Sequence, residues 1–243
     1  MAQPRTGRSP GYRRVLVKLS GEALVGKNGY GIDVDVLNRV GGDVCEAAGL
    51  GIELCLVVGG GNIYRGLAAA TDGMDRVSGD YMGMLATVLN GLALGQALEA
   101  KGLSARVMSA IPIISICEPF IRARALAHLA DGHLLVLVGG TGNPFFTTDT
   151  TAALRAAELG CDAIFKATQV DGVYDSDPAK NSKARRYDAL SYADVLRQDL
   201  KIMDGAAIAL ARDNRIPIIV FSIKEQGGLA AVLQGKGSST TIY

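Results

Sequence analysis

The chain has 243 residues, 49% of them hydrophobic and 20% charged, with a net charge of +1. It is long and apolar enough to bury about 70–75% of its unfolded surface, and its charge balance gives no electrostatic footprint for nucleic acid. Cys45, Cys55, Cys117 and Cys161 show no CxxC spacing, which argues against a zinc site or a disulfide framework and for reduced core cysteines.

The first 12 residues carry basic side chains with no apolar stretch behind them, so they read as a solvated tail rather than a secretory signal, and the cytoplasm is the expected compartment. Arg14 to Ser20, RVLVKLS, is predicted as a strand with Lys18 near its C-terminal end. Ligands of open α/β sheets sit outside the carboxyl ends of the strands, where a phosphate could neutralise a lysine that is costly in an apolar run. GEALVGKN at 21–28 approaches a P-loop, but Asn28 replaces the hydroxyl residue that should reach magnesium, which excludes a Walker motif. A helix is predicted from a cap at Asp33 to Gly49; Gly41 and Gly42 inside it each cost about 1 kcal/mol and have no sequence-level explanation. The strand Glu53 to Val58 ends in Gly59, Gly60, Gly61 and Asn62, with Arg65 one turn further on.

Tyr81 to Leu98 carries no charge and contains Gly91-xxx-Gly95, so a membrane span has to be considered. Thr87, Asn90, Gln96 and three glycines dilute it, Asp80 and Glu99 bound it, and no basic cluster flanks it, so a core helix that also serves a homo-oligomer interface is predicted. Ala105 to Met108 and Ile113 to Cys117 are further strand candidates, and His128 and His133 lack partners at metal-ligand spacing.

Leu134 to Val138 reads as a doubly buried strand, followed by Gly139, Gly140 and Gly142 and an alanine-rich helix from near Thr151. Thr147, Thr148 or Asp149 could cap that helix, and a glycine loop feeding a helix N-terminus is an anion site. Ala163 to Thr168 brings Lys166 and Thr168 to another strand end. In the segment that follows, Asp171, Asp175 and Asp177 lack the glutamate of a calcium loop, and Asp177-Pro178 reads as a cap and first helical position. KIMD at Lys201 to Asp204 precedes a helix to Asn214, and Ile216 to Phe221 is the last predicted strand before the tail SSTTIY. Alternating strands and helices predict a three-layer α/β/α sandwich with a mostly parallel central sheet. Two glycine loops, Lys18 and Arg65 converge on phosphate chemistry.

The stretches VKLSGEAL, GGGNIYRG, GDYMGMLAT, GTGNPFFTTD, KATQVDGVYDSDP and KIMD give the chain a close resemblance to the bacterial uridylate (UMP) kinases of the amino-acid-kinase family, along nearly its whole length. The resemblance implies one amino-acid-kinase domain over 13–243, with UMP held by its N-terminal part and ATP by the part from about residue 160. It implies transfer of the ATP γ-phosphoryl group to UMP, with Mg2+ carried by ATP. Lys18, Arg65, Asp149 and Asp204 are the implied catalytic residues. Lys18, Ser20, Gly21, Gly61, Arg65, Thr168, Tyr174 and Asp177 would serve ATP. Gly60, Asp80, Thr141, Gly142, Asn143, Pro144, Phe145, Phe146, Thr147 and Thr148 would serve UMP. A homohexamer, inhibition by UTP and an effect of GTP are also implied. Gly95 and Glu99 stand where some relatives carry basic side chains, leaving Lys101, Arg106 and His133 nearby, so weak GTP activation or a different cluster is expected. A relative that phosphorylates a carboxylate would share Lys18 and the glycine loops but should offer a lysine in place of Asp204. A non-catalytic nucleotide- or oxyanion-binding relative is the third reading, and intact Lys18, Arg65 and Asp149 argue against it.

Overall fold

The computed structural model describes residues 11–26, 29–64 and 75–243; Arg65 and Asn28 lie outside them. The apolar runs form the inner strands: β1 (Arg14–Leu19), β2 (Glu53–Val58), β3 (Ala105–Ser109), β5 (Leu134–Val138), β6 (Ala163–Thr168) and β10 (Ile218–Ser222). With the short β4 (Glu118–Pro119), β9 (Ala189–Leu190) and β11 (Ser239–Ile242), they build a nine-stranded sheet ordered β4-β3-β5-β2-β1-β6-β10-β11-β9. All pairs are parallel except β10 with β11. The tail SSTTIY therefore supplies a strand that the sequence reading did not assign. A separate hairpin pairs β7 (Val173–Tyr174) with β8 (Arg186–Tyr187).

Helices cover both faces of the sheet. Strand side chains alternate between faces, so Val15, Val17 and Leu19 join one core with α1 (Val34–Ala48), α2 (Arg76–Glu99) and α7 (Gly228–Leu233). Leu16 joins the other, with α3 (Arg122–Ala130), α4 (Thr148–Leu159), α5 (Tyr192–Arg197) and α6 (Gly205–Asp213). Lys18 shares the parity of Leu16 and so points toward the layer that contains α4. β1 lies between β2 and β6, where the chain order runs outward in both directions, and ligands of such sheets gather at that switch point.

Several boundaries differ from the sequence reading. Ile113–Cys117 is not a strand: Pro112 interrupts the run, and the amides of Ile116 and Cys117 both donate to Ile113 O in a turn. Asp177 caps a single turn rather than a helix, its carboxylate taking the Ala179 amide at 3.0 Å. The long helix begins at Arg76, capped by Asp75, so Asp80 lies within it rather than at its start. Gly91 and Gly95 do not face a partner subunit. A Cβ on Gly91 would lie 2.2 Å from Val138 Cγ1 and one on Gly95 2.8 Å from Val107 Cγ2, so both glycines let α2 settle on β5 and β3 of its own sheet. By length and composition α2 could cross a membrane, yet more than half of its most apolar window is buried inside the protein. Asp33 caps α1 as predicted. Gly41 there faces Lys101, whose Cε would lie 3.3 Å from an added Cβ, whereas nothing in the structure explains Gly42.

Candidate active site

Register builds the centre of the site. Lys18 of β1 pairs directly with Lys166 of β6, so the two side chains rise side by side on one face at the C-terminal ends of their strands. Such neighbours would repel unless a carboxylate stood between them, and Asp149, in the first turn of α4, does. Its Oδ2 accepts from Lys166 Nζ at 2.8 Å, and its Oδ1 lies 2.9 Å from Lys18 Nζ as an ion pair with poor hydrogen-bond alignment. Lys18 is only 7% exposed. Burial pushes the Asp149 carboxyl upward, but the two lysines outweigh it and hold its pKa below the ordinary aspartate value. Burial, reinforced by the charge on Lys18, pulls the Lys166 ammonium below the usual lysine range despite Asp149.

Lys166 also donates to the backbone carbonyl of Ile202, in the KIMD stretch. The next carboxylate along is Asp204, the N-cap of α6, which takes the Ala207 amide at 2.8 Å. Asp204 also accepts from the hydroxyls of Thr147 and Thr150, the latter at 2.8 and 2.9 Å. Of the three candidate caps, Thr147 is the residue that caps α4. The N-termini of α4 and α6 are thereby laced together beside the lysine pair, and both present positive dipole ends to the same space.

The glycine loops are held from α2. Asn90, fully buried, donates to Gly59 O at 2.6 Å and to Asn62 Oδ1 at 2.7 Å, and Asn62 continues to Gly31 O at 2.8 Å. One turn earlier Thr87 accepts the Gly139 amide at 2.8 Å. Gly21 fits against this loop only because it lacks a side chain: a Cβ would meet Asn62 Oδ1 at 2.4 Å and Gly61 N at 2.9 Å. Gly60 and Gly61 lie in the same turn, and Ser20 precedes the 3-10 turn Gly21–Leu24 without capping it through its side chain.

Asp80 takes the Phe145 amide at 2.8 Å and so ties α2 to the loop 141–148. In that loop Thr141 and Asn143 bond each other's backbone, Gly142 turns the chain, and Phe145 and Phe146 are exposed beside Pro144. Thr148 Oγ1 comes within 3.4 Å of a Cβ built on Gly59, so the two glycine loops meet.

On the β6 side, a cavity of about 640 Å³ is lined by Lys166, Thr168, Tyr174, Asp177 and Ile202, among others. Thr168 Oγ1 donates to Val170 O at 2.6 Å, and Tyr174 OH donates to Asp171 at 2.6 Å, which raises the tyrosine pKa and lowers that of Asp171. Lys166 lines the cavity and also touches Asp149, so it stands between the cavity and the lysine pair.

The predicted residues thus gather at one end of the sheet, except Arg65, which falls outside the described residues. The sequence reading placed Lys166 at a strand end but not in the site, and it missed Thr150, Thr87 and Asn90. For Lys166 the signal was available: both strands carry a lysine next to their ends, and parallel pairing sets them opposite. His128 and His133 are remote from this chemistry. His133 precedes β5 at the opposite end of the strands and bonds Ser104 at 2.7 Å, and His128 bonds Glu118 at 2.9 Å.

The arrangement suits anion chemistry: two ammonium groups, two helix N-termini and amide-rich loops, with a buried carboxylate to order them. Comparison with known proteins bears on which anion. Residues 13–222 match the model of the amino acid kinase family. The chain is 57% identical to the uridylate kinase of Zymomonas mobilis over 233 residues, 96% of each chain. It is 55% identical to that of Rickettsia bellii over 231 residues, 95% of this chain and 97% of the relative. Among solved structures, the UMP kinase of Bacillus anthracis superposes with a TM-score of 0.92 at 43% identity, covering 95% of this chain and 96% of that one. The UMP kinase of Ureaplasma parvum gives a TM-score of 0.90 at 36% identity, covering 95% and 98%. On fold, site and sequence together, the chain belongs to the amino acid kinase family.

Proposed function

We propose that the protein transfers the γ-phosphoryl group of ATP to UMP, giving UDP and ADP. The observation that carries this reading is the Lys18–Asp149–Lys166 cluster, whose Lys166 also lines the cavity beside β6. Bringing two nucleotide phosphates together concentrates negative charge, so catalysis rests on positioning and cationic stabilisation. The acceptor phosphate, with a second pKa of about 6, is already an anionic nucleophile at neutral pH and needs no general base. Lys18 and Lys166 stabilise charge on the transferring group, and Asp149 fixes their ammonium groups. Asp204 and the hydroxyls of Thr147 and Thr150 hold the start of α4 against α6. ATP occupies the cavity of Thr168, Tyr174 and Asp177, with Ser20, Gly21, Gly61 and Arg65 at its phosphates. UMP lies along Gly60, Asp80 and 141–148. One domain over 13–243 therefore divides its work between its two halves.

Magnesium, when bound to the nucleotide phosphates, neutralises their charge. Among the described residues no group of three or more His, Cys, Asp or Glu gathers into a metal cage. Among the described residues, the carboxylate beside the lysine pair that is not held by an ammonium is Asp204. This donor set fits an ion that arrives already held by phosphate oxygens.

The apolar face of α2 supports a homo-oligomer, and we propose a hexamer of three dimers in the cytoplasm. Tyr81, Met82, Leu85 and Leu89 are exposed there, and Met82, Leu85 and Leu89 border, with Ile63 and Ile116, a groove of about 450 Å³. UTP inhibits by competing through the UMP loop. GTP activation is weak or runs through a different cluster, because Gly95 and Glu99 supply no positive charge on α2.

The structure alters one discriminating argument: a second lysine is present after all, supplied by β6 rather than by KIMD, so lysine number alone does not separate UMP from a carboxylate acceptor. The 140–149 loop and Asp204 favour UMP. Release of ADP measured with UMP, CMP, dUMP, acetylglutamate and aspartate in parallel tests the choice. Turnover is expected with UMP and not with the two carboxylates; phosphorylation of acetylglutamate or aspartate alone would overturn it.

A further inference from the structure

Arg76 stands where helix energetics disfavour it. It opens α2, so its charge faces the positive end of the helix dipole, and the order Arg then Asp at i,i+4 is the less favourable one for an intrahelical pair. Its contacts point elsewhere. Arg76 Nε lies 2.9 Å from both carboxylate oxygens of Asp80, and its guanidinium sits 5.7 Å from the centre of the Phe145 ring. Phe145 is a bulky residue at φ +72°, a left-handed conformation that such side chains rarely adopt. The residue is 65% exposed, so burial does not hold it there. What holds it is the hydrogen bond that its backbone N–H donates to Asp80 Oδ2 at 2.8 Å and the cation over the ring.

We infer that Arg76 is a positioning residue of the acceptor subsite, locking the Asp80 carboxylate and the strained Phe145 turn into one preformed unit. The inference rests on the reading above that Asp80 and 141–148 receive the acceptor nucleotide. An ionised carboxylate offers about four acceptor sites. Arg76 and the Phe145 amide engage three of them, which leaves Oδ1 able to accept one hydroxyl of a bound nucleotide while its plane is held fixed. Without Arg76 the carboxylate can rotate and the turn can relax, and binding of the acceptor then has to restore both.

The test is steady-state kinetics on the full chain with UMP and ATP varied separately. Arg76→Ala is expected to raise the KM for UMP about tenfold, with kcat within about twofold and the KM for ATP unchanged. Arg76→Lys, which keeps the charge but not the Nε fork, should recover only part of the loss; it also serves if the alanine variant folds poorly. Asp80→Ala is the reference. If Asp80→Ala raises the KM for UMP and neither Arg76 variant does, the positioning role is wrong. If Asp80→Ala has no effect either, the acceptor-site reading falls, and this inference with it. A loss shared equally by the UMP and ATP constants would mark a merely structural arginine and also overturn the proposal.

Discussion

Neighbouring strands lie about 4.8 Å apart, so Lys18 and Lys166 can remain charged side by side only while Asp149 stays ionised between them. Asp149→Asn should lower kcat by at least about 100-fold and also reduce thermal stability, since breaking a buried pair by removing one partner costs about 3–5 kcal/mol. The sign of the pH effects follows from the shifts. The folded-state pKa of Asp149 is depressed, so its stabilising contribution is present above the unfolded aspartate value of about 3.9 and is lost as pH falls through the lower folded value. Lys166 is depressed as well, so it loses its proton below the ordinary lysine range, and the rate should decline on that alkaline limb. Removing the Asp149 charge lowers the lysine pKa further; a pH–rate profile of the asparagine variant should show its alkaline limb at lower pH than in the parent protein. An unmoved or raised limb would contradict the electrostatic assignment. At this scale Lys18 was legible from its place at a strand end, and Asp149 and Asp204 through resemblance. The sequence could not show that one carboxylate serves two lysines, because that depends on the parallel register of β1 with β6.

At the scale of elements, α2 organises both glycine loops through its buried polar side chains. Asn90 was read as a polar residue diluting an apolar helix, when it is the clamp on Gly59 and Asn62. Nothing in spacing distinguishes such a buried amide from a surface one; only the approach of the first loop does. Asn90→Leu should leave Gly59 O and the Asn62 amide without this partner, at about 1–3 kcal/mol for each buried group left unsatisfied. A thermal melt should therefore shift downward, with the KM for UMP raised through the displaced loop; a variant as stable as the parent would remove the clamp from the account. The inner strands were legible because each is a short, mostly apolar run. Ile113–Cys117 misled for the same reason: β-branched residues on an exposed turn mimic a strand when only composition is read. The terminal β11 was hidden because STTI alternates weakly and pairs only with β10 and β9.

For the whole molecule, the uncharged stretch of α2 was legible as something to be covered, but its two faces were not separable by sequence. The glycines turned out to serve the protein's own sheet, whereas Tyr81, Met82, Leu85 and Leu89 remain exposed. The side chain to alter is accordingly Leu89, 53% exposed. Leu89→Glu should shift light-scattering mass toward smaller species without changing the melt of the isolated subunit; an unchanged assembly would place the interface elsewhere. The claim on which the rest depends is that the lysine pair stabilises a phosphoryl group moving from ATP to UMP. Rapid-quench analysis with ATP labelled at the γ-phosphate tests it most directly. Label is expected in the β-position of UDP, formed about 100- to 1,000-fold more slowly by Lys18→Ala than by the parent protein at saturating UMP and ATP. Label released only as inorganic phosphate, or a Lys18→Ala variant forming labelled UDP at the parental rate, would contradict it.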